Sequence, residues 1–223
     1  MLSSSIELVV AHYQEDLNWL RRVPARIQKT IYSKAETSPS TPHYKLPNVG
    51  REAHTYLYHL VNHYDSLADY TIFCQGKPFD HAYDFHKTLR NLAAGTFIEK
   101  PFTWLGHIID TDSFDGKLFQ EWSKNLTGEG LDLAGFHQEL FGKAGPQLYP
   151  FLLGAQFVVS RELVHEQPLT FYQKAFTLTT TSSNAAHSYE RMWDRVFKVE
   201  GIDPTWLGGR KTVYLKPIKR LKE

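Results

Sequence analysis

Between Asn48 and His86 the chain alternates helix, strand, polar turn and helix, and this order restricts the possible fold more than any other stretch. Ala53, Leu57, Leu60, Val61 and Tyr64 recur at three- and four-residue spacing, which predicts a helix over 51–64 with Gly50 and Arg51 at its N-terminus. Tyr70-Thr71-Ile72-Phe73-Cys74 is a short apolar run and reads as a strand. A polar turn, Gln75 to His81, leads into a second helix over 84–94, with Phe85, Leu89 and Leu92 on one face and Gly95 as its stop. Strand, polar turn and helix in this order is the arrangement in which α/β proteins gather ligands at strand ends.

The flanking sequence extends the alternation. Ile6 to His12 is a β-rich apolar run, followed by Gln14-Glu15-Asp16 and a short helix containing Leu17, Trp19 and Leu20. Pro24 ends that helix and Ile27 to Tyr32 reads as a second strand, whereas the prolines and serines of 34–47 predict a long loop. Residues 102–109 read as one strand and 151–159 as a buried strand or strand pair. Phe171, Tyr172, Ala175 and Phe176 mark a helix, and a last helix over 184–197 carries Ala186, Tyr189, Trp193, Val196 and Phe197 on its apolar face. The expected fold is a single α/β domain over 1–223 with a mainly parallel central sheet and helices on both faces.

Composition narrows the function classes. With 42% hydrophobic and 14% aromatic residues the chain has the material for a packed core. A formal net charge of +1 gives no overall drive toward nucleic acid, although Lys211, Lys216, Lys219, Arg220 and Lys222 are locally basic and suit contact with a phosphate or peripheral contact with an anionic membrane surface, or else a solvated tail. The lone Cys74 sits in an apolar strand and suggests a buried thiol in a reducing compartment. No apolar run is long enough to cross a bilayer and the first residues lack a basic leader pattern, so the expected localisation is cytoplasmic.

Four places carry chemistry. Gly50 and Arg51 set a close backbone approach beside a cation at a helix start, which suits a diphosphate, or else a tight turn with a surface ion pair. Gln75 to His81 supplies Asp80 and His81 as ligands for a divalent ion or a sugar hydroxyl, or else Asp80 or Asp84 as a helix cap. Asp110-Thr111-Asp112 is a short Asp-x-Asp able to hold Mg²⁺ or Mn²⁺, a pattern that loop composition also produces by chance. His187, Glu190, Arg191 and Asp194 form a polar stripe, read either as a cleft wall with Glu190 as general base or as a solvated face. His59 and His63 lack the Glu and third ligand of a zinc protease motif and are read as exposed; Gly-x-Ser-x-Gly, Walker and Gly-x-Gly-x-x-Gly patterns are missing from the sequence.

Val9 to Leu20 (VVAHYQEDLNWL), Leu46 to Leu57 (LPNVGREAHTYL) and Phe73 to His81 (FCQGKPFDH) together resemble a family of microbial proteins known as a domain of unknown function. That family in turn is similar to nucleotide-sugar glycosyltransferases of the GT-A type. The resemblance implies a nucleoside diphosphate sugar held by His12, Tyr13, Glu15 and Asp16, by Asn48, Gly50, Arg51 and Glu52, and by Gln75, Gly76, Lys77 and His81. It implies a glycan or other hydroxyl acceptor near Gln156 and Arg161, and Glu190 with Asp80 as catalytic groups. GT-A enzymes carry an Asp-x-Asp at the strand end, where this chain has Gln75 to His81. Mn or Mg would be held by Asp80, or by Asp110 and Asp112, unless Arg51 and Lys77 neutralise the diphosphate instead. Asp80→Asn is expected to weaken donor binding and Asp112→Asn to be nearly silent.

Overall fold

The computed structural model describes residues 4–96, 100–122 and 124–215, so Lys216, Lys219, Arg220 and Lys222 of the basic run lie outside the described residues. The chain opens with β1 (Ile6–His12), a 3-10 turn at Asn18–Arg22, β2 (Ile27–Ser33), the two-residue β3 (Tyr44–Lys45), α1 (Arg51–Asn62), β4 (Tyr70–Gln75) and α2 (Phe85–Ala93). It continues through β5 (Phe102–Trp104), β6 (Ile108–Ser113), α3 (Lys117–Glu121), α4 (Leu133–Phe141), β7 (Leu148–Leu152) and β8 (Phe157–Ser160). The remaining elements are α5 (Arg161–His165), α6 (Leu169–Thr181), α7 (Ala185–Glu190), α8 (Trp193–Val196) and β9 (Thr212–Tyr214).

A mostly parallel six-stranded sheet, ordered β3-β2-β1-β4-β8-β5, forms the centre. The first four strands are parallel, while β8 runs antiparallel to both its neighbours. β1 and β4 read as nearly unbroken apolar runs because each is covered on both faces. Alternation along the strands sorts their side chains. Val9, Phe73 and Phe157 pack under Tyr56, Leu57 and Leu60 of α1 and under Tyr189 and Trp193. Leu8, Val10, Ile72, Cys74 and Val158 pack on the other face against Leu17, Leu20 and Phe85, Leu89 and Leu92 of α2. Helices therefore cover both faces, and the Cys74 thiol is free and fully buried. Among the described residues no helix is long and apolar enough to cross a membrane.

A second, antiparallel sheet, β7-β6-β9, docks on the α7 side. Here the sequence reading needs correction. Residues 102–109 form two strands in different sheets, because Leu105, Gly106 and His107 turn the chain between β5 and β6. The helix expected over 184–197 is broken: Arg191 turns its guanidinium back onto the His187 carbonyl at 2.8 Å, and Met192 leaves helical geometry at φ −145°. The polar stripe is no solvated face, since Arg191 and Asp194 are both buried, Arg191 against Asp112 of the second sheet. His59 is buried too. It lies 3.6 Å from Glu7, and its Nδ1 shares a hydrogen bond with the Tyr32 hydroxyl at 3.1 Å.

Candidate functional site at the strand ends

Register brings the C-terminal ends of three parallel strands into one row: His12 lies opposite Ser33, and Ala11 opposite Gln75. The chain leaves β1 for β2 on one side and later returns to β4 on the other, so β1 is where strand order reverses, the place where open α/β sheets leave a crevice. The crevice is present, at about 380 Å³. Tyr13 and Glu15 line it from the turn after β1, Lys34 from the end of β2, Gln75 from β4, and Asn48, Arg51 and Glu52 from the start of α1.

The start of α1 has a backbone that fixes its residue types. Gly50 and Arg51 are both left-handed, at φ +58° and +48°. A Cβ on Gly50 would stand 2.8 Å from the His54 Cβ and 2.8 Å from the Thr179 carbonyl oxygen, so α1 approaches α6 only with glycine there. Lys34 clamps this turn by donating to the Val49 carbonyl at 2.5 Å and to the Arg51 carbonyl. Burial lowers the Lys34 pKa to about 8, against the opposing pull of Glu52.

The turn after β1 is shaped from inside. The His12 Nε2 donates to the Glu15 carbonyl at 3.2 Å, so its Nδ1 accepts from the Ser33 hydroxyl at 2.9 Å in the neutral ring. The Glu15 carboxylate accepts the N–H groups of Tyr13 (2.8 Å) and Gln14 (3.1 Å) and packs on Gly76, whose carbonyl accepts from the Trp19 indole at 2.8 Å. Asp16 accepts from the Asn18 N–H at 2.8 Å and starts the 3-10 turn. His12, Glu15 and Asp16 thus position the rim, leaving Tyr13, Asn48, Arg51, Glu52 and Gln75 to present their polar groups.

Glu52 is the unusual group. Its side chain is only 10% exposed although it lines the cleft, with Arg51 Nε 3.8 Å away. Burial raises its pKa; Glu190 adds to the rise, and Arg51 and Lys34 oppose it. Glu190 is itself held, its Oε1 accepting the Gly154 N–H at 2.8 Å. Gly154 sits at φ +97°, and a Cβ there would meet the His81 side chain at 2.7–2.8 Å, so His81 packs on the β7–β8 turn. Gln156, fully buried, donates to the Pro78 carbonyl at 3.1 Å and ties the same turn to the end of β4. Behind Arg51, His187 accepts from Nη1 at 3.3 Å. Burial, with Arg51 and Arg191 adding to it, drops the His187 pKa to about 4, so this ring is a neutral acceptor at neutral pH.

Other expected site residues stand apart. Asp80 is exposed and paired with Lys77 at 3.0 Å. Asp110 accepts from the Thr212 hydroxyl at 2.5 Å. Asp112 is fully buried; it accepts from Arg191 Nε at 2.8 Å and from the N–H groups of Leu118 (2.9 Å) and Phe119 (3.3 Å). It is a structural anchor, so Asp112→Asn is expected to lower stability, a different readout from the donor binding on which it is expected to be nearly silent. Arg161 binds the Leu67 carbonyl and Asp69, beside the first residue of β4 and so at the end of the sheet opposite the cleft. Among the described residues no three His, Cys, Asp or Glu side chains gather to hold a metal. Lys34 is the cleft residue that sequence reasoning missed. Its signal was position, one residue past β2 in the row of His12 and Gln75.

Comparison with protein families matches residues 8–204 to DUF3431, described as a protein of unknown function. No curated protein matches the chain. The chain belongs to the DUF3431 family.

Proposed function

We propose that this member of the DUF3431 family is a glycosyltransferase on a GT-A type fold, moving a sugar from a nucleoside diphosphate donor to a hydroxyl acceptor. The observation that carries the reading is the cleft itself, at the strand-order reversal of a sheet whose first four strands follow the 3-2-1-4 order of a doubly wound α/β sheet. Departure of a diphosphate requires positive charge at the leaving oxygens, which Arg51 and the start of α1 supply at the rim. Glu52 on the cleft wall, and Glu190 behind it, fixed by Gly154 and close enough to raise the Glu52 pKa, are the carboxylates suited to take the proton of an acceptor hydroxyl.

The metal that GT-A chemistry implies does not fit the residues present. Asp80 stands on the surface beside Lys77, and the Asp112 oxygens are taken by Arg191 and backbone N–H groups. Charge neutralisation by Arg51 is accordingly the reading that the cleft supports. The same spent carboxylates favour, as a second reading, a carbohydrate- or protein-binding module that kept the fold without the transfer. A thermal-shift panel of nucleoside diphosphates, sugar nucleotides and free glycans, with and without Mn²⁺, separates the two. A ligand at a hundred times its dissociation constant stabilises by about 2.7 kcal/mol. Response to nucleotides supports the transferase, response to glycans alone supports the module, and silence throughout overturns both.

A further inference from the structure

Where α4 ends, residue spacing sets a polar ring beside an apolar one. His137 and Phe141 are one turn apart on α4, with ring centroids 4.5 Å apart, and Phe141 stacks on Phe171 of α6 at 6.0 Å. Gly142, left-handed at φ +71°, ends α4 and turns the chain back. A Cβ on Gly145 would stand 2.8 Å from the His137 ring, so the returning loop closes on the imidazole only with glycine there. These elements and the residues after α8 enclose a cavity of about 480 Å³ whose apolar wall is Leu140, Phe141, Phe171 and Val199. Its lining shares no residue with the strand-end cleft.

Two polar groups in this cavity keep bonding capacity in reserve. His137 is only 3% exposed, and its Nδ1 donates to the Lys143 carbonyl at 3.0 Å, which leaves Nε2 of the neutral ring as an acceptor without a partner among the described residues. Burial lowers the His137 pKa, and the charges of Arg195 and Lys143 add to the fall against the hydrogen bond to the Lys143 carbonyl, so the ring is neutral at neutral pH. Arg195 is half-buried, with its guanidinium 5.7 Å from the Tyr149 ring centroid. Among the described residues no oxygen accepts from that guanidinium; the neighbouring Asp194 takes the Arg195 backbone N–H instead, at 2.8 Å. Of the other charged residues in the lining, Lys198 donates to the Glu166 carbonyl, and Lys143 and Glu200 are opposite in sign. Arg195 is left to select an anion.

The three features ask for one kind of molecule. An open guanidinium fork matches a planar carboxylate, a neutral imidazole acceptor needs a hydroxyl or N–H donor, and an apolar wall of this size needs an apolar body. A bare inorganic anion would leave the wall without a partner. We propose that this cavity binds a small carboxylic acid that has an apolar body and a hydroxyl or amide N–H beside its carboxylate. Arg195 takes the carboxylate, His137 Nε2 accepts from the adjacent donor, and the body lies on Phe141 and Phe171. Because none of these residues belongs to the cleft, the site stands independently of the transferase reading.

Equilibrium dialysis of the full chain against phenyllactate, phenylpropionate and lactate tests it. Phenyllactate carries all three features, phenylpropionate lacks the hydroxyl, and lactate lacks the apolar body. Phenyllactate should bind saturably, and each of the other two about tenfold or more weakly. Arg195→Lys keeps a charge beside Asp194 and loses the fork, so it should weaken phenyllactate binding by about tenfold or more while the melting temperature holds. Arg51→Ala should bind phenyllactate as the wild type does. Absence of saturable phenyllactate binding, equal binding of all three acids, or binding that Arg51→Ala removes and Arg195→Lys leaves intact would overturn the proposal.

Discussion

The strand-end cleft and the buried ion pair beneath the second sheet use the same residue types and do opposite things. In the pair, Arg191 and Asp112 are wholly buried and bonded to each other, Arg191 also donates to the His187 carbonyl, and its guanidinium lies 4.5 Å from the Phe151 ring centroid and 4.6 Å from that of Trp122. No polar group of Asp112 is left for a ligand. In the cleft, Arg51 is 64% exposed, held on one side by the neutral His187, and Glu52 faces open space with its charge poorly hydrated. A charged residue in a sequence marks a site only when the fold leaves part of its bonding capacity turned toward a cavity. Asp-x-Asp spacing at 110–112 carries no information about that.

The difference can be broken most forcefully at the buried pair. Arg191→Met strands the Asp112 carboxylate in the core, which typically costs about 3–5 kcal/mol, and urea unfolding should show a loss of that size. A loss under about 1 kcal/mol would mean that the pair is not buried as described. Next comes Gly50→Ala, which places a side chain on a left-handed backbone against the Thr179 carbonyl. The expected loss is about 1–3 kcal/mol, read from the same unfolding curves, and an unchanged midpoint would show that the entry to α1 is not held in this conformation.

Glu52→Gln tests the cleft with a smaller effect and a defined sign. Because the folded-state pKa of Glu52 lies above its unfolded value, the folded protein keeps the proton to higher pH, and stability falls as pH rises through the ordinary carboxylate range toward that raised value. Glutamine removes this penalty. Melting temperature should therefore rise in Glu52→Gln at neutral pH, by about 2–4 °C for each kcal/mol relieved, and the advantage should vanish in acid where both states are protonated. An advantage that persists unchanged in acid would assign the effect to packing.

Most of the parallel half was legible in the sequence. β1, β2, β4, α1 and α2 follow from apolar runs, three- and four-residue spacing and glycine stops, since each lies in a local unit whose pattern reports its burial. The second sheet was not, because its strands pair across long stretches of chain: Ile109 meets Leu152 and Val213. Periodicity also misjudged the stripe of Arg191 and Asp194 and the exposure of His59, because a polar face looks the same in sequence whether water or Asp112 and Glu7 lie over it. Within the cleft, Arg51 and Glu52 were readable from the helix start, whereas Lys34 needed the register of β2 against β1.

The most direct test of the account is calorimetric titration of a nucleoside diphosphate into the wild-type protein, Arg51→Ala and Asp80→Asn. On the proposed reading Arg51 donates a charged hydrogen bond to the diphosphate, so its removal should weaken binding by about 10–100-fold with little change in melting temperature. Asp80 pairs with Lys77 on the surface, an arrangement worth about 0–1 kcal/mol to stability, and its variant should bind as the wild type does. Binding that survives Arg51→Ala and is lost in Asp80→Asn would contradict the cleft as the diphosphate site.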